Sequence, residues 1–556
     1  MASIPELTKL YRHLDCEAAM CADRLRNARH FERDLFVPVY ANRDQLLRML
    51  KSLHGQVLAL EAPDPVYLLL RTHMLHFIES QEMNTATAFE RPSRYISQFT
   101  QNVSYLCRKD SRPAQERADI LIARLSQAPR VWEGVHEWLA YAPTHYIQEA
   151  ASACSILEGT VSKEFRFVDS SFALPNGRGS DIAEHVKDAM VQLVAYSRRW
   201  KKELDELLEK KEVPQGGVLP DDACIPFEES FYRDLLQTEH GIDLDQLLSW
   251  HEEEVEKTRA EVFRIVQRLP ISDAEPTTMT GVNDILLKYA GPKAHPDITF
   301  REGRRYLDRA KAGSKGYVWL PEDEQCVVMP VPEQIKFSYP WGGYGGGCAQ
   351  RRPLIGEYFI NDVNYQAVTD GWLKMMAIHE AYPGHHVQFI RTTLDRLPET
   401  VKMGARSVPI TEGTAHRSER VFEFVFEEDP FYPLFVAYRR HHTSVRIKVE
   451  LMLRYFGRPI GEGVQVYMDE LGFDRHIARG QVQAQETMLG YFNCYYYGMK
   501  RLQDLEQQSD YTPKKFTEML FSAGRISVDL FEEYAQFSDE DRARYSSEFA
   551  SLIQFP

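Results

Sequence analysis

The stretch Ala377-Ile-His-Glu-Ala-Tyr-Pro-Gly-His-His-Val-Gln388 constrains this chain more than any other. It closes an apolar run and sets three histidines and a glutamate within eight positions, His379 to His386. Neutral imidazoles are good zinc ligands, and a carboxylate beside the first of them can act as general base toward a water that the metal activates. On a regular helix two such ligands stand at i and i+4, on one face. Here the i+4 position is Pro383, and the next histidines come six and seven residues on. Proline lacks the amide and clashes one turn back, while Gly384 tolerates unusual dihedrals. The helix is therefore predicted to kink or bulge at 382–384 and to resume near His385. Taking the break as a two-residue bulge makes His379 and His385 the ligand pair. His386 is the rival: at i+7 it shares the face of an unbroken helix, but about 10.5 Å further along the axis.

The 556 residues suffice for one large or two ordinary domains. A helical region over 1–290 and a catalytic region over 291–556, packed as one unit, are expected. A net charge of −15 argues against nucleic acid or an anionic membrane as partner. Eight scattered cysteines without a Cys-x-x-Cys pair suit a reducing compartment. The first residues show no basic segment before an apolar core, and no apolar run is long enough for a bilayer, so the expected location is the cytoplasm. The oligomeric state is left open.

Residues 1–212 read as successive amphipathic helices, with plain spacing over 44–53 and 182–208. Helix breakers cluster at 213–220, and helical spacing returns over 227–239 and 244–269. Between 290 and 365 the segments 317–320, 326–331, 335–339 and 357–361 are short, β-branched and aromatic, and predict a small sheet. The strand at Glu357 to Asn361 is expected at its edge, bordering the cleft, where it could pair with an extended substrate. Within Gly342 to Gly347 five of six residues are glycine, without the Lys-Ser/Thr ending of a phosphate loop. A loosely held loop follows, either a passive turn or a lid that brings Tyr344 to the substrate. From Gln366 onward helices are predicted over 366–382, from about 410, and over 434–456, 461–471, 475–506 and 512–537. The class is mainly α, with one small sheet bordering the metal cleft.

A catalytic zinc needs a third protein ligand and keeps its fourth position for water. Glu412, at the start of the next major helix, is the candidate. Glu419, two turns further on the same face, could instead orient a histidine. His379-Glu-Ala-Tyr-Pro-Gly-His-His-Val-Gln388 followed by Thr411-Glu-Gly-Thr-Ala415 resembles the family called domain of unknown function 885, placed among the glutamate-type zincins. Gly356 to Asn361 is similar to the strand before that family's metal helix. Leu489 to Gly498 is similar to its C-terminal segment, with Tyr495 at the matching tyrosine. The resemblance covers most of the chain and is strongest over 353–502.

It implies a zincin-like fold and one zinc ion, with hydrolysis of an amide or peptide bond in a small peptide or amino-acid-like substrate. On this reading His379, His385 and Glu412 hold the metal and Glu380 is the general base. Tyr495 donates to the oxyanion, Arg446 pairs with a substrate carboxylate, and His386 and Tyr344 adjoin the substrate. Three departures bear on specificity: Thr414 replaces a usual tryptophan, Arg454 a histidine and Tyr491 a glutamine. A biosynthetic zinc enzyme (a lyase or specialised amidohydrolase) and a metal-free binding protein are the alternatives.

Overall fold

Short polar caps and prolines start many of the helices. Asp64 accepts from the Tyr67 amide just ahead of Pro65, Thr369 from Trp372, and Ser527 from Leu530. The computed structural model describes residues 33–547, apart from 63, 174–178, 212–218, 272–274, 333–340 and 348–351. Among the described residues the chain is mainly helical, with one small sheet.

Three apolar cores place the site. Helices between 35 and 204 enclose their own core around Phe99, Trp138, Leu157 and Met190. A second joins early helices to the last ones, with Leu50, Leu69 and Ile78 packed among Leu397, Leu520 and Phe531. The third surrounds the histidine motif: Leu373, Ile378 and Tyr382 pack with Val262, Tyr306, Tyr438 and Val449. Residues on both sides of position 290 thus share one core.

The sheet has the order β1-β3-β2. Strand β1 (Gln325–Pro330) runs parallel to β3 (Ile355–Ile360), and β2 (Gly342–Gly345) runs antiparallel along the other side of β3. The segments expected at 326–331 and 357–361 are strands; 317–320 contributes only an isolated bridge, Lys315 to Val318. The segment 335–339 lies outside the described residues. Two expectations are corrected. Strand β3 is the centre of the sheet, paired on both sides, and the edge strand beside the cleft is β2. Gly342–Gly345 of the glycine-rich stretch form that strand rather than a loose loop. The glycines of the stretch serve close approach, since a Cβ at Gly342 would collide with the Phe359 carbonyl and one at Gly347 with the Ile355 carbonyl.

The predicted span 244–269 divides into Leu244–Trp250 and Glu253–Val266, and two predicted long helices near the C-terminus are also broken. The span 475–506 divides into Arg475–Thr487 and Asn493–Gln508, with Gly490 left-handed between them (φ 70°). The span 512–537 divides into Pro513–Ser522 and Val528–Ala535, with Gly524 at φ 80°. Left-handed glycine is the usual end of a helix, and these two breaks put Tyr491 and Arg525 on turns.

The helix bearing Glu412 (Val408–Val421) crosses Asn493–Gln508 with backbone against backbone. A Cβ at Gly413 would meet the Gly498 carbonyl carbon, and one at Gly498 the Pro409 carbonyl oxygen. No flexible side chain is there to yield. Gly498→Ala is expected to force the helices apart, to displace Glu412 and to cost at least roughly 2 kcal/mol. Chemical denaturation checks this; a variant of unchanged stability would contradict it.

Candidate metal centre

The helix Asp370–Met376 runs on into one π turn, Ala377–Ala381, closed by the Tyr382 amide donating to the Ala377 carbonyl at 3.0 Å. Such bulges are frequent at functional sites. At Tyr382 the backbone becomes extended (φ −126°, ψ 113°), and a new helix starts at His385 with Gly384 at its N-cap. A Cβ at Gly384 would strike the His379 carbonyl oxygen, so glycine is what lets the chain turn back on itself. The break falls at the predicted 382–384.

Glu324, buried just ahead of β1, holds both sides of this break. It accepts from the Tyr382 hydroxyl at 2.7 Å and from His386 Nε2 at 2.5 Å, and it is ion-paired with Lys311 at 2.5 Å. The second nitrogen of His386, Nδ1, accepts from the Tyr344 hydroxyl at 3.1 Å, in space left open by Gly356. His386 is thereby committed to the sheet side. His385, about 100° round the helix, faces the cavity instead. Its Nδ1 donates to Gln388 Oε1 at 2.8 Å, and Gln388 in turn donates to the Thr411 carbonyl at 2.9 Å. That leaves Nε2 of His385 open.

His379 is oriented in the same manner. Its Nδ1 lies 2.7 Å from Glu419 Oε1; the other oxygen of Glu419 is 2.8 Å from His416 Nδ1, and His416 Nε2 is 2.9 Å from Thr443 Oγ1. The free Nε2 atoms of His379 and His385 stand 3.5 and 3.4 Å from a single atom, Glu412 Oε2. The other oxygen of Glu412, Oε1, accepts from Tyr491 at 2.8 Å. Glu412 Oε2 is buried without a hydrogen bond.

This donor set fits zinc. One ligand atom from each of His379, His385 and Glu412 lies within 4.8 Å of the others. Tetrahedral zinc with bonds of about 2.0–2.1 Å sets neighbouring ligand atoms about 3.3 Å apart. Glu380 Oε2 is 4.0 Å from His385 Nε2, on the same cavity. The ring of Tyr495 stacks near His379 with centroids 6.5 Å apart, and its hydroxyl is 2.9 Å from that of Tyr491.

The electrostatics favour a cation. Burial alone would lower the His379 pKa, but its contacts with Glu412 and Glu419 raise it to about 10. His385 is raised against the same burial effect by Glu412. Burial pushes the Glu412 carboxyl up, yet the charges of the neighbouring His385 and His379 hold it well below the ordinary carboxylate range. Glu419 is likewise held to about 2, by His416 and His379 against burial. Burial, and then the Glu412 charge, push the Tyr495 hydroxyl up, so it remains a donor.

The cavity measures about 490 Å³ and is lined by His379, Glu380, His385, Glu412, Tyr495 and Tyr344, among others. Arg446 and His386, expected beside the substrate, do not line this cavity. Arg446 is buried over the rings of Tyr495 and Phe492, at 5.2 and 4.7 Å, with one nitrogen on Gln481. His386 is held by Glu324 and Tyr344 as described. Thr414 lines the cavity. Arg454 donates to the carbonyls of Ile225 and Glu486, a structural tie. Sequence reasoning missed Glu324, Gln388, His416 and Arg525, and noted Tyr491 only as a departure. Gln388 ends the motif itself and could have been found there; the others carry no local signal.

The family model described as "Bacterial protein of unknown function (DUF885)" matches residues 36–534. No curated protein matches the chain in sequence. Among solved structures the chain is similar to a candidate lipoprotein from Colwellia psychrerythraea, with TM-score 0.78 and 15% identity over 96% of this chain and 99% of that one. It is similar also to a candidate lipoprotein of unknown function from Shewanella oneidensis, with TM-score 0.73 and 15% identity over 97% and 100% of the two chains. At this identity the likeness is one of fold. No helix among the described residues is long and apolar enough to cross a membrane.

Proposed function

We propose a function for a chain that belongs to the DUF885 family of bacterial proteins of unknown function: zinc-dependent hydrolysis of an amide or peptide bond in a small, peptide-like substrate. One observation carries the reading. A buried carboxylate oxygen, Glu412 Oε2, lacks a hydrogen bond and faces two imidazole nitrogens at 3.5 and 3.4 Å, beside a cavity that Glu380 also lines.

His379, His385 and Glu412 hold the ion. When bound, zinc acidifies a water and polarises a carbonyl. Glu419 and Gln388 fix the two imidazole tautomers, so both histidines present Nε2. Glu380 takes a proton from the attacking water and delivers it to the leaving nitrogen. The Tyr495 hydroxyl, kept protonated by its surroundings, donates to the oxyanion as charge develops there. Strand β2 carries Gly342, Gly343 and Tyr344 along the cavity wall and, as an edge strand, offers backbone groups to an extended substrate. A peptide backbone suits that edge.

The test is incubation of zinc-loaded protein with a defined peptide library, read by mass spectrometry. The expected result is new peptide ends that vanish with a chelator and return with zinc. Fully zinc-loaded protein that cleaves no peptide would overturn the reading.

A further inference from the structure

The cavity is acidic where the motif lies and basic further along. The helix His385–Leu394 forms one wall and serves as a ruler, with His385, Gln388, Phe389, Thr392 and Thr393 lining the cavity in turn. From His385 to Thr393 the helix rises about 12 Å. There the Lys402 ammonium reaches the Thr393 carbonyl at 3.5 Å, and Lys402 itself lines the cavity. Arg525 joins it: its amide donates to the Val401 carbonyl at 3.1 Å, and its Cβ would stand 2.9 Å from any side chain added at Gly404. The turn that carries Arg525 is therefore fixed against the segment that carries Lys402.

Three buried arginines on neighbouring elements have carboxylates, and Arg446, which has none among the described residues, is held by aromatic rings and Gln481 instead. Arg391 pairs with Asp395 and Glu518, Arg417 with Glu506, and Arg406 with Glu79. The Arg525 guanidinium has neither an ion pair nor a hydrogen bond among the described residues, although it lines the cavity. Burial, unopposed by any carboxylate, draws its pKa down. Arg525 is half-buried, with its counter-charge left for a ligand in the cavity to supply.

We propose that Arg525, with Lys402 beside it, receives the C-terminal carboxylate of the substrate, so that the site selects short peptides with a free carboxylate some three or four residues beyond the bond cut. The spacing comes from about 12 Å of cavity wall divided by the 3.3–3.4 Å rise of an extended residue. This rests on the hydrolase reading above and deepens it: the anchor expected at Arg446 falls to Arg525.

The probe is hexa-alanine as the free acid and as the C-terminal amide. Binding is measured by calorimetry to zinc-loaded Glu380→Gln protein, and cleavage with the zinc-loaded parent. The acid is expected to bind roughly ten- to a hundredfold more tightly than the amide, as for a hydrogen-bonded charge. Arg525→Gln should abolish that difference while keeping zinc content and thermal stability, and Arg525→Lys should restore part of it. An acid preference that survives Arg525→Gln, equal binding of acid and amide, or no binding of either would overturn the proposal. If the acid is preferred through Arg525 but nothing is cleaved, the hydrolase reading fails and the carboxylate site stands. If acid and amide are cleaved alike, the reverse holds.

Discussion

Glu380→Gln is expected to retain a full complement of zinc and to hydrolyse peptide substrates roughly 10²- to 10⁴-fold more slowly than the parent, the usual contribution of a general base. Glu380 is not among the three residues gathered around Glu412 Oε2, so the amide leaves the donor set intact. The carboxylate oxygen 4.0 Å from His385 Nε2 is the one positioned to accept a proton from a water held at the centre. Glutamine keeps the size and a hydrogen-bonding oxygen but cannot take that proton. Zinc content and kcat measured on one preparation check the pair of effects. A variant with full activity would remove Glu380 from its role, and one without zinc would mean that the residue holds the metal.

The adjacent histidines are expected to separate as sharply. His385→Ala removes one of three donors. If a protein zinc site is worth about 10–16 kcal/mol in all, one ligand carries several of these, and affinity should fall on the order of a thousandfold. His386→Ala should leave zinc affinity nearly unchanged, since that imidazole points to Glu324 and Tyr344. Its effect should appear in stability. Glu324 is buried and would lose a hydrogen bond at 2.5 Å while keeping Lys311 and Tyr382, and losing a buried hydrogen bond to a charged group costs about 1.5–3 kcal/mol. Zinc titration and denaturant unfolding of the two variants read these effects separately. The opposite order of zinc affinities would make His386 the ligand and the 382–384 break irrelevant to the site.

The parts of this site that were legible in the sequence are those set by local chemistry. His379 beside Glu380, and Pro383-Gly384 ahead of His385, dictate a broken helix through backbone constraints that act within a few residues. Glu412 could be guessed because it opens the next major helix. What was not legible depends on partners far apart in the chain. Nothing near His386 announces that Glu324, 62 residues away, will claim it. The glycines at 342–345 disfavour a strand by intrinsic preference, and only pairing with β3 makes them one. Arg446 and Arg525 carry the same group, and helix packing decides which reaches the cavity: Arg446 lies behind Tyr495, while the left-handed Gly524 puts Arg525 on a turn at the wall. The same reason hid the break at Gly490 that brings Tyr491 onto Glu412.

The central claim is that His379, His385 and Glu412 together hold one catalytic zinc. Elemental analysis of protein prepared without chelators or a metal-affinity step, run beside His379→Ala, tests it most directly. The expected result is one zinc per chain in the parent and none in the variant. A parent free of any first-row metal, or a variant that keeps its zinc, would contradict it.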